Sequence, residues 1–331
     1  HVSKQHLYDI LEQNFSQHNT NKAINHFESI PDIFSAKNID YIKTISGFAI
    51  IFFGVCILSI NLFNLINNFV YIMQNILKTL LFIRGIASET LPPIAEIDDN
   101  TPIYSILIPL YKEELTITAI LKSIDNLNYP KDKLDVKFII EEDDTLTMRA
   151  IKGHKLPSYI HVIKTPYSLP RTKPKALNYA MPYVCGEFVV VYDAEDVPDP
   201  NQLLKVLYAF NNLSKKYACI QARLNFYNAE TNILTKCFSI EYSIWFNFLL
   251  KGLSIMNLPV TLGGTSNHFR AEVLIKVGYW DAYNVTEDAD LGIRLYLAGY
   301  KVQLINSTTM EEAPSNIFIW IAQRSRWIKG F

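Results

Sequence analysis

The apolar residues follow three different patterns along the chain. Residues 1–40 are polar and helix-like, no charged residue occurs from Thr44 to Leu77, and short apolar runs alternate with mixed stretches after residue 101. We therefore predict a helical N-terminal segment over 1–40, which could be the end of a longer domain, and membrane-spanning structure over 41–85. The acidic, Pro-containing stretch 86–101 is predicted to be a linker, and residues 102–331 are predicted to form one domain.

The uncharged run is long enough to cross a bilayer, since about 20 apolar residues suffice. One interpretation is a tight hairpin of two short spans that turns near Asn67–Asn68. The other is a single span followed by an amphipathic helix on the membrane surface. A buried pair of soluble helices is disfavoured, because such helices usually have a polar face. Lys43, Lys78 and Arg84 flank the run, which favours a hairpin with both ends in the cytoplasm.

Short apolar runs in the last part of the chain predict β-strands, and the stretches between them predict helices. The strands are predicted at 104–110, 136–141, 160–164, 188–193, 218–224 and 301–305, and the helices at about 113–126, 144–152, 173–182 and 200–213. Strands that alternate with helices indicate an α/β fold with a Rossmann-like, doubly wound and mostly parallel sheet. Ligands bind at the carboxyl ends of the strands in such sheets.

Acidic residues follow three of the predicted strands. The sequences are YKEE after 104–110, EEDD at the end of 136–141 and DAED at the end of 188–193. Carboxylates at one sheet edge repel one another unless a cation joins them, and such oxygen ligands bind Mg²⁺ or Mn²⁺ together with phosphate oxygens. Arg171, Lys173 and Lys175 lie at a predicted helix start, which adds a site for an anion. The sequence contains neither a P-loop nor a G-x-G-x-x-G motif.

Composition narrows the classes of partner. The chain has 331 residues and a formal net charge of −1, so no broad basic face predicts nucleic-acid binding. Its four cysteines lack C-x-x-C spacing, which argues against a disulfide framework or a zinc site. The chain begins with His1 and ends at Phe331 within a helical pattern, so we expect the natural protein to continue at both ends, with further membrane spans after Phe331.

Residues 102–331 resemble the catalytic domain of family 2 glycosyltransferases, in the membrane-embedded, cellulose-synthase-like branch. The resemblance rests on EEDD, DAED, TED at 286–288 and Q-x-x-R-W at 323–327, which occur in the family's order. Each motif alone is weak, and together on an α/β pattern they are specific. The resemblance implies a GT-A type fold, a UDP-sugar donor, a divalent Mg²⁺ or Mn²⁺ ion and inversion at the anomeric carbon.

The resemblance also implies roles for residues on the donor side. Asp193 and Glu195 resemble the D-x-D motif that holds the metal ion, with Glu195 in place of the usual second Asp, and Asp196 is an alternative ligand. Asp144 resembles the residue that binds the uracil or ribose, although the adjacent Asp143 leaves the register open by one. Three residues of the first strand's end would cup the base, and one lysine would contact phosphate: Pro109, Tyr111, Glu113 and Lys173.

On the acceptor side, Asp288 resembles the catalytic base that takes a proton from the acceptor hydroxyl. Thr286 is expected to cap the following helix with its side chain, which would place Glu287 and Asp288 in the first turn. The loop at Gly264 and Thr265 would lie beside the acceptor. The last motif supplies charge for the diphosphate and an aromatic face for the acceptor sugar: Gln323, Arg324, Arg326 and Trp327. His268 is interpreted as a structural residue.

The sequence therefore predicts a membrane-anchored, inverting hexosyltransferase. It would move a sugar from a UDP-sugar to a hydroxyl of a glycan or a lipid-linked acceptor, giving a β-linkage. We expect a multi-pass membrane protein with its catalytic domain in the cytoplasm. Transfer to a polyprenyl phosphate is an alternative that Q-x-x-R-W disfavours. A non-catalytic membrane scaffold is a further alternative, disfavoured because only Glu195 departs from the motifs.

Overall fold

A mixed sheet of eight strands forms the centre of the molecule. The computed structural model describes residues 4–30, 35–38, 41–57, 60–86 and 93–330. The strands are β1 (Tyr104–Leu110), β2 (Leu134–Glu141), β3 (Ile160–Thr165), β4 (Phe188–Val191), β5 (Val197–Pro198), β6 (Tyr217–Phe226), β7 (Asn267–Arg270) and β8 (Lys301–Glu311). Their order across the sheet is β3-β2-β1-β4-β7-β6-β8-β5.

The strand directions bring most strand ends to one edge. Strands β3, β2, β1 and β4 are parallel, and β7 pairs antiparallel with both β4 and β6. Because β7 is antiparallel to both of its neighbours, β6 runs in the same direction as β4 and β1, and so does β8, which is parallel to β6. The carboxyl ends of β1, β2, β4, β6 and β8 therefore share one edge. The predicted doubly wound, mostly parallel α/β sheet is confirmed.

Helices cover both faces of the sheet. Those that follow the first strand are α4 (Ile117–Asp125), α5 (Thr145–Lys152), α6 (Lys173–Ala180), α7 (Gln202–Asn212), α8 (Ile233–Ile244), α9 (Leu250–Ile255), α10 (Ala271–Lys276), α11 (Glu287–Leu297) and α12 (Ile317–Gly330). A π-helical turn, Trp245–Leu249, joins α8 to α9. One face of the sheet packs a core against α4, α5 and α7, and the other packs a core against α6, α10 and α11.

The helix α1 (Lys4–Asn25) covers the free edge of β3. The side-chain amide of Gln5 exchanges two hydrogen bonds with the backbone of Val162, at 3.1 Å each, and Glu12 Oε1 accepts the Lys164 N–H at 2.9 Å. The ring of Tyr8 packs edge-on against His161, with ring centroids 5.2 Å apart. These side chains satisfy an edge strand that would otherwise offer unpaired backbone groups.

Two apolar helices precede the sheet, α2 (Tyr41–Ile57) and α3 (Ile60–Ile86). The hairpin turn predicted near Asn67–Asn68 is wrong, because both residues lie inside α3. The physical reason is that neither Gly nor Pro occurs between Gly54 and Gly85, and Asn alone lowers helix propensity only modestly. Among the described residues one helix, Asn61–Ile86, is long and apolar enough to cross a membrane, and Ile45–Gly54 is a shorter apolar helix.

The end of α3 packs closely on the helical turn that joins α8 to α9. The rings of Phe82 and Phe248 lie 4.5 Å apart between centroids. A Cβ at Gly85 would overlap the backbone of Phe248, and a Cβ at Gly252 would overlap the backbone of Leu81. Glycine at these two positions lets the helix backbones touch. The end of the apolar helix is thus packed on both the π-helical turn and α9.

Candidate active site

A cleft of about 770 Å³ opens at the edge where the strands end. It lies between α6, α8, the π-helical turn, the loop before β7, α11 and α12. The residues predicted from sequence that line it are Lys173, Asp193, Glu195, Gly264, Glu287, Asp288, Gln323, Arg324, Arg326 and Trp327. Asp193 and Asp288, which are 95 positions apart in the chain by their numbers, therefore border the same space.

Lys173 joins the donor-side and acceptor-side acids. Its Nζ is 2.6 Å from Asp193 Oδ1 and donates to the Gly264 carbonyl at 2.7 Å. Burial opposes its charge, but the carboxylates of Asp193, Asp288 and Glu287 together raise the pKa of Lys173 above its usual value. The lysine therefore remains positively charged between two groups of acids.

Negative charge is in excess at the end of β4. Burial raises the pKa of Glu195 to about 7, and the charges of Asp193 and Glu113 add to the shift. Burial and the charges of Asp196, Asp193 and Glu195 also raise the pKa of Glu311, which lines the same cleft at the end of β8. These carboxylates repel one another when they are ionised, and a bound cation would offset that repulsion.

Asp196 supports the loop from behind. Its Oδ2 accepts the Asp193 N–H at 2.7 Å and a hydrogen bond from the Thr265 hydroxyl, and the side chain is buried. Thr265, also buried, donates to the Val191 carbonyl as well. Neither residue lines the cleft, whereas Glu195 does. The geometry therefore favours Glu195 over Asp196 as the partner of Asp193 in holding an ion, and it gives Thr265 a place behind the acceptor loop.

The carboxylates of Asp193 and Glu195 fit the way Mg²⁺ and Mn²⁺ are held beside phosphates. Across the described ranges, no group of three or more His, Cys, Asp or Glu side chains is arranged to bind a metal by itself. Mg²⁺ typically uses one or two carboxylates and takes its other ligands from substrate phosphates and water. A two-carboxylate site at an open cleft matches that requirement.

The predicted nucleotide-binding residues lie beside the cleft, at the ends of β1 and β2. Asp144 caps α5 and accepts the Lys112 N–H at 2.5 Å and the Thr147 N–H at 3.1 Å. Burial acts to raise the pKa of Asp144, but these hydrogen bonds outweigh it and lower the pKa. Asp143 is more exposed, and its Oδ1 is 2.9 Å from Arg171 Nη2. Asp144 thus holds the loop, while Asp143 faces the open side.

The end of β1 presents an aromatic ring to the same side. Tyr111 is exposed, and the Arg171 guanidinium lies 5.0 Å from its ring centroid. The Glu113 N–H donates to Thr147 Oγ1 at 2.9 Å, which joins the end of β1 to α5. Pro109 is partly buried within β1. A flat ring, an arginine and exposed carboxylates can contact a nucleoside.

Lys175 was predicted to contribute to an anion site with Arg171 and Lys173, but it does not line the cleft. It is fully buried, and its Nζ is 3.0 Å from Glu141 Oε1 under the sheet edge. The reason is helical geometry, because residues two apart lie on different faces of a helix and Lys173 already faces the cleft. Arg171 and Lys173 are the two cations of this segment that border the cleft.

Asp288 lies in the first turn of α11 and is 5% exposed. Burial and the neighbouring Glu287 raise the pKa of Asp288 well above its usual value. Its Oδ1 has no hydrogen-bond partner in the part of the chain that the structure describes. Asp288 also lines the cleft, and a buried carboxylate with a raised pKa there can accept a proton from a bound hydroxyl.

Thr286 precedes α11, but its side chain makes no capping hydrogen bond, so that expectation is wrong. Its N–H donates to Asn284 Oδ1 at 2.9 Å, and its hydroxyl donates to the same oxygen at 3.2 Å. The side chain of Asn284 therefore competes successfully for the threonine hydroxyl, as Asn side chains commonly do in turns.

The Q-x-x-R-W motif lies on α12. Arg324 Nη2 is 2.5 Å from Glu241 Oε2 on α8, and its guanidinium lies 4.7 Å from the ring centroids of both Phe238 and Trp327. Arg324 was expected to contact the diphosphate, but its guanidinium already contacts Glu241 and two aromatic rings. Arg326 lines the cleft, and its charge opposes the burial that raises the pKa of Glu287. Gln323 Oε1 is buried with no partner in the described chain.

The two neighbouring glycines of the acceptor loop have different surroundings. A Cβ at Gly264 would meet no heavy atom within 4 Å, so this position faces open space. A Cβ at Gly263 would lie 2.8 Å from the ring of Phe246, so that glycine is required by packing. His268 is the second residue of β7, which follows this loop. It is buried and forms hydrogen bonds with Tyr104 and Gln202, which confirms a structural role.

Sequence reasoning missed several residues that line the cleft. Glu311 was missed because β8 was predicted to end at residue 305, although it follows the same rule of an acid at a strand end. The wall formed by α8 and the π-helical turn carried no recognised motif, and its members are Glu241, Tyr242, Trp245 and Phe246. A π-helical turn is often found at a functional site.

Comparisons with known proteins agree with this architecture. Residues 188–331 match the model of the family described as Glycosyl transferase family group 2. The Probable glycosyltransferase YdaM of Bacillus subtilis (strain 168) is 29% identical over 246 residues, which cover 73% of this chain and 58% of the relative. The Beta-monoglucosyldiacylglycerol synthase of Nostoc sp. (strain PCC 7120 / SAG 25.82 / UTEX 2576) is 29% identical over 241 residues, covering 71% of this chain and 50% of the relative. The chain thus spans between 50% and 58% of the length of these relatives.

The fold has a solved counterpart. The mannosyltransferase PcManGT from Pyrobaculum calidifontis, solved in complex with GDP-Man and Mn²⁺, superposes with a TM-score of 0.59. It is 19% identical, and the match covers 77% of this chain and 69% of that chain. The predicted GT-A type fold is confirmed. Residues 188–331 thus resemble a family group 2 glycosyltransferase domain, and the relatives support the predicted enzyme class, a glycosyltransferase.

Proposed function

We propose that this protein is an inverting hexosyltransferase that transfers a sugar from a UDP-sugar to an acceptor hydroxyl and forms a β-linkage. One observation carries the proposal: Asp193 and Asp288 border a single cleft and both act on the charge of Lys173. The order of the four motifs supports an assignment to the cellulose-synthase-like branch. In this proposal the catalytic domain begins near residue 102, after the linker 86–101.

The donor would bind across the ends of β1, β2 and β4. Tyr111 and Arg171 would contact the base, Asp143 or Asp144 the uracil or ribose, and Lys173 the phosphates. The contact of Arg171 with both Tyr111 and Asp143 supports this arrangement. The solved mannosyltransferase that shares the fold binds GDP-Man, so UDP is the part of this proposal that a donor screen tests first.

Asp193 and Glu195 would hold a divalent Mg²⁺ or Mn²⁺ ion. When bound, such an ion supplies Lewis-acid stabilisation of the departing diphosphate oxygen. The Mn²⁺ in the solved mannosyltransferase supports a divalent ion in this fold. Lys173 would turn from Asp193 toward phosphate oxygens, because a lysine head group is a mobile point charge on a flexible stem.

Asp288 would be the general base. It would take the proton from the acceptor hydroxyl as that oxygen bonds to the anomeric carbon and the carbon–diphosphate bond breaks. Its burial supports this role, because a raised pKa makes a carboxylate a stronger base. A single displacement converts an α-linked donor into a β-linked product. Arg326 would add positive charge on the side of the leaving group.

The acceptor would lie against the aromatic wall formed by α8, the π-helical turn and α12. Tyr242, Trp245 and Trp327 offer flat apolar faces there, which suits the C–H face of a sugar or the apolar part of a lipid-linked acceptor. One similar protein is a beta-monoglucosyldiacylglycerol synthase, which keeps a lipid acceptor as the second candidate beside a glycan.

Attachment to a membrane is part of the proposal. The side chains of α2 and α3 are apolar and largely exposed, for example Phe53 at 67% and Phe69 at 62%. A contiguous apolar surface of this kind in a soluble protein would be a liability. We propose that α3 crosses or lies in the bilayer with the catalytic domain in the cytoplasm.

A donor screen with the full-length protein in membranes tests the function. Each radiolabelled UDP-sugar and GDP-mannose would be offered with Mn²⁺, and the product would be analysed for linkage and for attachment to glycan or lipid. We expect one UDP-sugar to give a β-linked product. Incorporation from GDP-mannose alone would overturn the donor, an α-linked product would overturn the inverting mechanism, and no incorporation from any donor would favour the scaffold.

A further inference from the structure

The N-terminal segment plays no part in the proposed chemistry, yet it contacts the loop that leads to Asp288. We call residues 277–286, between α10 and α11, the base loop, and residues 4–30 and 35–38 the N-terminal strap. The base loop contains no regular helix or strand. Its position therefore depends on the side chains and backbone groups that bond to it.

The first contact is at Asp281. This carboxylate is 2% exposed and accepts three hydrogen bonds. Two come from the strap, from the Ser35 hydroxyl at 3.0 Å and from the Ala36 N–H at 2.6 Å. The third comes from the Tyr283 N–H, inside the base loop, at 3.0 Å. A buried carboxylate that loses such donors is strongly destabilised, so these bonds fix the strap to the loop.

The second contact passes through Asn178 of α6. Its side-chain nitrogen donates to the Ala23 carbonyl of the strap at 3.0 Å and to the Trp280 carbonyl of the base loop at 2.8 Å. Its side-chain oxygen accepts the Trp280 N–H at 3.2 Å. One buried amide thus joins the strap, the helix that begins with Lys173, and the base loop.

Packing closes the remaining side of the loop. The Ile30 side chain fills the place that a Cβ at Gly278 would take, and Gly278 has a φ of +84° that favours glycine. The ring of His26 lies 4.9 Å from the ring of Tyr279. Phe27 is buried with the Arg294 guanidinium 4.6 Å from its ring centroid, and Arg294 in turn binds the carbonyls of Val277 and Tyr279.

From these contacts we infer that the N-terminal strap positions the catalytic base, with Asp281 and Asn178 as positioning residues that act through the base loop on Asp288. The Asn178 side chain holds the backbone of Trp280 through two hydrogen bonds. Trp280 is fully buried, and its side chain lies beside the Asp288 carboxylate. The inference rests on the proposed role of Asp288. Because the strap ends three residues before the apolar helix α2, it also ties the base to the part of the chain proposed to meet the bilayer.

The strap itself supplies a matched control. Gln5, in the first turns of α1, bonds the edge strand β3 and makes no hydrogen bond to the base loop. Loss of the Gln5 side chain removes two hydrogen bonds between the strap and β3, and loss of the Asp281 carboxylate removes two between the strap and the base loop. A merely structural strap would make both losses equivalent for catalysis, whereas a positioning strap makes only the second one lower kcat.

The experiment compares Asp281→Ala and Gln5→Ala in the full-length protein in membranes. The measurements are kcat, the KM for the donor, and the affinity for UDP with Mn²⁺. We expect Asp281→Ala to lower kcat between about 10-fold and about 100-fold with donor KM and UDP affinity unchanged, because small misplacements of a reacting group have effects of this size. Gln5→Ala should keep the wild-type kcat. Equal kcat values for the two variants would overturn the inference.

A milder pair keeps the test informative if Asp281→Ala does not fold. Ser35→Ala removes one donor to Asp281 and should lower kcat about several-fold, and Ser35→Thr, which retains the hydroxyl, should restore it. Failure of Ser35→Thr to restore kcat would contradict the inference. The proposed function is tested separately by Asp288→Asn: if that variant keeps wild-type turnover, the base is misassigned, whereas an inactive Asp288→Asn beside a fully active Asp281→Ala defeats the positioning role alone.

Discussion

The donor side and the acceptor side of the cleft are built differently. On the donor side, Asp144 and Asp196 at the ends of parallel strands each accept backbone N–H groups, so the loops are held before any ligand binds. On the acceptor side, helices packed through aromatic rings carry Asp288 and Gln323, each with a buried oxygen that has no partner in the described residues. Asp196 Oδ1 on the donor side also has no partner there, but Asp196 lies behind the loop, whereas Asp288 and Gln323 line the cleft, where a ligand can complete the site.

The difference suggests that the fold supplies nucleotide binding and that helices added around it supply the choice of acceptor. Loops at the carboxyl ends of parallel strands are brought together by the sheet itself. Residues on α8, α11 and α12 have no such common frame, and their positions depend on packing with the strap, α3 and one another. Variants on the two sides should therefore fail in different ways.

Asp193→Ala should have the largest effect. Loss of the carboxylate that would hold the metal ion should lower kcat/KM by at least about 10³-fold, since metal-ion catalysis supplies several kcal/mol. Affinity for UDP with Mn²⁺, measured by calorimetry, should fall in parallel. Asp199→Asn is a matched control, because Asp199 follows in the same segment but pairs with Lys205 outside the cleft, and it should keep wild-type turnover. Normal metal-dependent binding in Asp193→Ala would contradict the donor-side assignment.

Lys173→Ala and Lys175→Ala should separate catalysis from stability on one helix. Lys173→Ala should lower kcat about 100-fold, as expected when a charge that stabilises the leaving group is removed, with little change in Tm. Lys175→Ala should lower the free energy of unfolding by about 3–5 kcal/mol, because it leaves Glu141 buried without its partner. Thermal unfolding and turnover of both variants check this pair. A stability loss in Lys173→Ala with a turnover loss in Lys175→Ala would contradict the roles assigned to the two lysines.

Gly264→Ala should act on the acceptor alone. Its Cβ would enter open space, so Tm and UDP affinity should stay at the wild-type values while the acceptor KM rises about several-fold by crowding. Gly263→Ala, one residue earlier, should instead lower Tm because its Cβ would press on Phe246. An unchanged acceptor KM in Gly264→Ala would place the acceptor elsewhere.

Glu12→Gln should have the smallest effect, on the pH dependence of stability at the strap. Burial raises the pKa of Glu12 to about 7 from its usual 4.5. The folded protein therefore favours the protonated carboxyl, so this contribution is present below pH 4.5 and is lost as the pH rises through about 7. Glu12→Gln, which stays neutral, should have a higher Tm than the wild type at about pH 8 and an equal one at about pH 4. Parallel Tm curves across this range would contradict the shift.

Much of the donor side could be predicted from the sequence, because strand ends and acids are both local features. The strand at 104–110 was predicted with its observed bounds, and the acids after β2 and β4 do lie at one edge. β7 was missed because its sequence, NHFR, has no apolar run, and it forms only by pairing between β4 and β6. Tertiary pairing thus overrode a weak local pattern.

The acceptor side was less predictable because its contacts join distant helices. The motif at 323–327 located α12, but nothing in it indicated that Arg324 would pair with Glu241 on α8. The strap gave no signal either, since Ser35 and Asp281 lie far apart in the chain and meet only through the fold. Lys175 was predicted at the wrong place because three cations close together in sequence were expected to share one site, whereas residues two apart lie on different faces of a helix.

The most direct test of the account is Asp288→Asn in the full-length protein, measured for UDP binding with Mn²⁺ and for sugar transfer in the same preparation. The account predicts wild-type affinity for UDP and transfer reduced between about 10²-fold and about 10⁴-fold, as for removal of a general base. Transfer at the wild-type rate would contradict the central claim that donor and base meet in this cleft.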